Sequence, residues 1–256
     1  MCLIVFALDF HKDYPLILAA NRDEFYNRKS MKATFWEDAP GVLAGRDLKA
    51  GGTWLGVHES GKMAAITNYR DPKIEKEKAP TRGLLPLNYL RSELGPLGYL
   101  KKLQNDNGYE YNGFNLLTAN LNSMYHYNNI DNKINKVDSG IHAVSNAFFN
   151  TPWPKAALVK QKLRHEIDKG FDAVSLLDML YDTRKASDRE LPSTGISLKW
   201  ERDLSSIFIN TNGYGTRSST VVLFHKSKHV VFAERIYSPV SRIFKENITE
   251  FDIKSA

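Results

Sequence analysis

The sequence predicts an α+β protein whose helices pack on the outside of mostly antiparallel sheets. Three observations carry this expectation. Short apolar runs dominate the first 70 residues, apolar residues recur at helical spacing over residues 81–104 and 154–182, and strand-like runs return between and after those helices. Strands in clusters separated by helices in clusters indicate α+β rather than alternating βαβ units. At 256 residues and 42% hydrophobic, the chain can bury a substantial core as a single domain over residues 1–256, and no stretch has linker composition.

Residues 2–8 and 16–20 are apolar runs on either side of a polar connection and read as a β-hairpin. Residues 41–45 and 53–57 read as short strands, and 62–69 as another, joined by a turn at Glu59-Ser60-Gly61. Residues 71–80 mix both charges and read as a solvated loop. Helices are expected over 81–94, with Leu84, Leu85, Leu87 and Leu90 on one side, and over 96–104. Strands resume at 114–119, 123–127 and 141–145, while asparagine-rich 105–115 and 128–135 read as turns. Two more helices, 154–168 with proline near its start and 171–182, precede closing strands at 206–209, 219–224 and 229–235.

Composition narrows the function classes. The net charge of +6, from 35 basic and 29 acidic residues, is spread along the chain without a basic run, which argues against nucleic acid. One cysteine cannot form an intramolecular disulfide, so the expected setting is cytoplasmic. The apolar start is too short and lacks the basic flank of a signal peptide, and no stretch approaches the roughly 20 apolar residues that span a bilayer. Of seven histidines only His225 and His229 are four apart, in an expected hairpin, so no metal site is predicted. The Gly51-Gly52 pair lacks the following Lys-Ser or Lys-Thr of a Walker loop and reads as a turn. A Cys-x-x-Cys-His motif is absent, which excludes covalent c-type haem. Non-covalent haem stays compatible, since one His, Tyr or Cys axial ligand would suffice.

The lone cysteine is Cys2, directly behind Met1. Removal of Met1 would leave a free α-amine, of ordinary pKa about 7.7–8.0, on the residue that carries the thiol, so base and nucleophile would come from one residue. The bland alternative is a small apolar residue opening a buried strand. The hairpin brings position 2 near Asn21-Arg22-Asp23-Glu24, four polar side chains that must find partners or line a polar site. Strand alternation puts Asn21 and Asp23 on one face and Arg22 and Glu24 on the other, so Arg22 and Asp23 both face Cys2 only if a bulge or strand end re-aims one.

Met1-Cys2, the segment Leu18-Ala19-Ala20-Asn21-Arg22-Asp23-Glu24-Phe25-Tyr26, then Gly51-Gly52-Thr53-Trp54-Leu55-Gly56 and Ala65-Ile66-Thr67-Asn68-Tyr69, resemble the NRDE family, also called the transport and Golgi organization protein 2 family. The resemblance implies an αββα sandwich of the N-terminal-nucleophile hydrolase-like type, two mostly antiparallel sheets flanked by helices. It also implies a role in haem mobilisation or in lipid and acyl-CoA homeostasis, with haem, acyl-CoA or a lipid as ligand.

Further residues complete a constellation. Asn68, Asn146 and Arg217 sit at expected strand ends or loops, where sites form. Asparagine amides can donate to the oxyanion of an acyl-transfer intermediate, each worth about 2.7–4 kcal/mol, and Arg22 and Arg217 can hold the thiolate. Trp54 and Tyr69 join Asn21 and Glu24 as substrate-binding candidates, although Trp54 also reads as core. Cys2, Arg22, Asp23, Asn68 with Tyr69, Asn146 and Arg217 are similar in order to the pattern of cysteine N-terminal-nucleophile hydrolases. In those enzymes the Arg and Asp stand three apart, whereas Arg22 and Asp23 are adjacent and Asn21 and Glu24 are the three-apart pair, so roles within 21–24 stay open. Two functions follow. One is hydrolysis of a non-peptide amide at Cys2, without a cofactor. The other is non-catalytic binding of haem, acyl-CoA or lipid in the same pocket.

Overall fold

A computed structural model of the chain describes residues 2–238 and 244–254. The strands in chain order are β1 (Cys2–Leu8), β2 (Leu16–Phe25), β3 (Ser30–Trp36), β4 (Ala39–Asp47), β5 (Leu55–His58), β6 (Met63–Asn68), β7 (Phe114–Asn120), β8 (Ser123–Asn128), β9 (Lys133–Lys136), β10 (Gly140–Val144), β11 (Tyr214–Phe224), β12 (His229–Tyr237) and β13 (Phe244–Asp252). The α-helices are α1 (Leu84–Arg91), α2 (Pro96–Asp106), α3 (Pro154–Lys169), α4 (Ala173–Met179) and α5 (Leu198–Asp203). Two compact units form, one from Met1–Asn27 with Ser139–Phe251 and one from Arg28–Asp138 with Asp252–Ala256.

The first unit carries a six-stranded sheet in the order β10-β1-β2-β11-β12-β13. Neighbours from β10 to β12 pair antiparallel. One face of β1, β2 and β11 supplies Leu3, Val5, Ile17, Ala19, Val221 and Leu223 to a core closed by Ala156, Val159 and Leu163 of α3 and by Leu176 and Leu177 of α4. Pro154 opens α3 where its missing N–H costs nothing, and Gly170 ends the helix at φ 86°. Asp172 caps α4 through a reciprocal bond pair with Ser175.

The second unit carries a seven-stranded antiparallel sheet in simple sequence order, β3 to β9. Its core joins Val42, Ala44, Ala64, Ile66, Phe114 and Leu116 to Leu85, Leu90, Leu100 and Leu103 of α1 and α2. Two buried tyrosines are satisfied there, Tyr89 Oη donating to Ala119 O at 2.8 Å and Tyr99 Oη to Leu85 O at 2.8 Å.

Gly51 turns at φ 74°, and Gly52 lies so close to residue 83 that a Cβ would sit 2.3 Å from the Gly83 carbonyl carbon and oxygen. Thr53 N–H bonds Gly83 O at 2.9 Å across this contact. The pair is therefore a packing device, as the turn reading expects. Gly52→Ala should force the two backbones apart at a cost of about 2 kcal/mol, checked by urea unfolding; an unchanged midpoint would refute the close approach.

Both sheets and the four longest helices match the α+β expectation, with four corrections. Residues 206–209 form no strand. Phe208 N–H goes to Asp182 O, Ile209 N–H to Thr216 Oγ1, and Ile207 O accepts from Asn21, so loop and side-chain partners replace a ladder. The expected strand at 219–224 starts at Tyr214, after Gly213 turns the chain at φ 84°, so Arg217 lies inside β11 rather than before it. The 128–135 turn is confined to 129–132, because Lys133–Lys136 pair with β8. The expected strand at 16–20 runs on to Phe25, which puts all of Asn21 to Glu24 in the ladder. The elements β3, β9, α5 and β13 were not expected.

Candidate active site

Cys2 opens β1 and pairs directly with Arg22 of β2, so thiol and guanidinium share one face of the sheet. Leu3 pairs with Asn21 and belongs to the helix-covered core, which puts Asn21 and, by alternation, Asp23 on the opposite side. Asp23 stands one register step past the Cys2–Arg22 pair, at the backbone-nitrogen end of Cys2, where its backbone N–H favours the thiolate. Burial pushes the Cys2 thiol above its ordinary range, and the Asp23 carboxylate adds to this, while Arg22 and the Asp23 N–H pull it back toward the thiolate.

No irregularity within β2 re-aims Arg22 or Asp23, so they stay on opposite faces, and the bulge lies in the partner strand instead. Between Thr216, opposite Asp23, and Ser218, opposite Arg22, β11 carries Arg217 as an extra residue. Arg217 Nη1 donates to Tyr26 O at 2.6 Å and its guanidinium lies 5.7 Å from the Tyr26 ring centre. Its Nε is buried without a hydrogen-bond partner among the described residues. Desolvation first, and then the nearby Arg22 charge, lower its pKa. The two guanidinium groups thus make a cationic patch beside Cys2, countered by Glu24.

Asp23 is 1% exposed. Its Oδ1 accepts from Thr216 Oγ1 at 2.7 Å, and its carbonyl accepts from Tyr214 Oη at 3.1 Å. Burial raises its pKa, opposed by Lys155, Thr216 and Arg22. Asn146 follows β10 on the other side of β1. It is fully buried, and Ser145 Oγ reaches both Asn146 Oδ1 and Cys2 O at 3.2 Å.

One candidate is corrected outright. Asn21 is fully buried, its Nδ2 donating to Leu180 O at 3.1 Å and Ile207 O at 2.9 Å and its Oδ1 accepting from Ser219 Oγ at 2.6 Å. Its amide is spent inside the fold and holds structure instead of substrate. Glu24 is half-buried and accepts from the Phe25 N–H at 2.8 Å. The first unit thus brings together Cys2, Arg22, Asp23, Asn146 and Arg217. Asn68, Trp54 and Tyr69 belong to the second unit. There Asn68 ends β6 opposite Phe114, Tyr69 N–H bonds Gly113 O at 2.8 Å, and Trp54 packs against the helical core.

Sequence reasoning missed Thr216, Ser145 and Lys155. Lys155 is 2% exposed in the first turn of α3 and acts on Asp23. A cation in the first turn opposes the helix dipole, and this was the available signal.

A family model for transport and Golgi organisation 2 matches residues 1–239. The chain belongs to that family. Transport and Golgi organisation 2 relatives include a mouse homologue, 35% identical over 280 aligned positions and all of both chains, and a human homologue, 35% identical with 92% of each chain covered. The Drosophila melanogaster protein is 28% identical over 91% of each. Among solved structures, a conjugated bile acid hydrolase from Clostridium perfringens matches 98% of this family member and 92% of its own chain, with a TM-score of 0.53 at 11% identity. That likeness concerns fold, which is of the N-terminal-nucleophile hydrolase type. Among the described residues no helix of this family member is long and apolar enough to cross a membrane.

Proposed function

We propose that the chain is a cytosolic cysteine amidohydrolase that cleaves a non-peptide C–N bond with Cys2. The observation that carries this reading is the direct pairing of Cys2 with the buried Arg22. A thiol at the head of a strand, beside a cation and a backbone donor, supports the nucleophile reading over that of inert filler. Met1 is removed by N-terminal processing. The freed α-amine of Cys2 takes the thiol proton, and the sulfur adds to the amide carbon. The C–N bond breaks as that proton passes to the leaving nitrogen, and water then cleaves the thioester to an acid and the free thiol. Asn146, two residues beyond the Ile4–Val144 pair, is the side chain this reading assigns to the oxyanion. Arg22 and Arg217 favour a substrate whose acyl or amine part carries an anionic group.

The alternative is a carrier that binds haem, an acyl-CoA or a lipid at the same cationic patch without turnover. Intact mass spectrometry followed by an electrophilic amide-mimicking probe separates the two. The hydrolase reading expects loss of Met1 and single labelling at Cys2, slowed about tenfold or more by Arg217→Ala. Retained Met1 with an inert Cys2 would overturn it, and saturable titration with haemin or palmitoyl-CoA would then support the carrier.

A further inference from the structure

Lysine is almost never fully buried unless it is paired, and Lys155 is 2% exposed. It is the second residue of α3, where the helix dipole also disfavours a cation. Two costs therefore act against it, and a carboxylate close by is needed to offset them. Its helix packs on the face of β1 and β2 that includes Leu3 and Ala19, the same side to which alternation turns Asp23. Asp23 is 1% exposed, and its Oδ1 accepts from the Thr216 hydroxyl at 2.7 Å. Among the described residues, the other charged or titratable groups acting on it are Arg22 on β2 and the Cys2 thiol on β1. Arg22 points to the Cys2 face, which leaves Lys155 as the cation on the carboxylate's own side. Burial pushes the Asp23 carboxyl up, and the first influence opposing it is Lys155.

We propose that Lys155 is a positioning residue, the buried counter-charge that keeps Asp23 ionised at the backbone-nitrogen end of Cys2. The proposal rests on the Cys2 reading for its functional meaning. An ionised Asp23 can accept from the freed α-amine of Cys2 and hold it over the thiol, whereas a protonated one cannot. Lys155 acts on the nucleophile through Asp23 and touches neither substrate nor sulfur.

The test is a carbon-13 carboxyl NMR titration of Asp23 in the full-length protein and in Lys155→Met, with the pH profile of Cys2 alkylation by iodoacetamide measured alongside. The expected result is an Asp23 midpoint at least one pH unit higher in Lys155→Met, restored in Lys155→Arg, with the alkylation profile displaced as well. An unmoved Asp23 midpoint would overturn the proposal. A displaced midpoint with Cys2 inert in both proteins would keep the counter-charge and sink the hydrolase reading. Should Lys155→Met fail to fold, Lys155→Met in an Asp23→Asn background decides. Removing both charges should recover most of the lost melting temperature, and no recovery would refute the pairing.

Discussion

Replacing Asn21 with leucine should lower the unfolding free energy by about 4 kcal/mol, because two buried carbonyls and one hydroxyl lose their partner at about 1–3 kcal/mol each. The three bonds span the unit. Nδ2 ties β2 to Leu180 O behind α4 and to Ile207 O before β11, and Oδ1 takes the Ser219 hydroxyl of β11. Leucine keeps the branched shape but is the larger side chain, so the loss reports hydrogen bonding and crowding rather than a cavity. Ser219 Oγ also lies 3.0 Å from Tyr237 Oη, which softens one of the three losses and keeps the total below the upper bound. Urea unfolding should give a lower midpoint with an unchanged slope. A change under about 1 kcal/mol would mean the amide does not hold these segments. Because Arg22 and Asp23 follow directly in the same strand, the variant should also broaden the site, read as slower and less selective Cys2 labelling. Asn21 is thus a residue whose motif position suggested chemistry and whose surroundings assign it architecture.

The β1–β2 hairpin and the helices α1 to α4 were legible in the sequence because each buries a continuous or helically spaced apolar set. Residues 3–7 and 16–20 are buried without interruption, which alone identifies inner strands. Elements with little burial escaped. In β3 only Ala33 and Trp36 are buried, every residue of β9 is exposed or half-buried, and β13 is an exposed edge strand reading Phe-Lys-Glu-Asn-Ile-Thr-Glu-Phe-Asp. Charged edge residues blunt further pairing and at the same time erase the apolar pattern that marks a strand. Residues 206–209 failed in the opposite sense. They are apolar and buried, yet loop partners satisfy their backbone, a property that periodicity does not carry.

At the site, alternation along β2 separates Arg22 from Asp23, and the structure keeps them on opposite faces because β2 itself has no irregularity there. The bulge fell at Arg217, where Gly213 and Tyr214 begin a strand earlier than its apolar part suggests. Lys155 lay hidden because a lysine in an amphipathic helix ordinarily reads as surface, and its place in the first turn of α3 is a weak signal until burial beside Asp23 gives it meaning.

Acid should destabilise the second unit through His126. The ring is 2% exposed on β8, and Nε2 lies 2.9 Å from Asn115 Oδ1, which also accepts from Asn128 Nδ2 at 2.9 Å, while Asn115 Nδ2 donates to Thr67 Oγ1 at 3.2 Å. Asn115 Oδ1 is an acceptor only, so Nε2 carries the proton of a neutral ring. Burial lowers the His126 pKa to about 4, against about 6.5 in an unfolded chain. Above pH 6.5 the ring is neutral in both states and contributes no pH dependence. Between about 6.5 and 4 the unfolded chain binds a proton that the folded one refuses, so stability falls as pH falls and levels off below 4, a loss of about 3 kcal/mol. His126→Gln keeps an amide donor for Asn115 and removes the titration. Between pH 7.5 and pH 4.5 it should lose about 2–3 kcal/mol less than the parent chain, measured by urea unfolding at both values. Carboxylates titrate in the same range in both proteins and cancel in that comparison, so parallel losses would show that His126 protonates as readily folded as unfolded, and the network across β6, β7 and β8 would then not be closed to water.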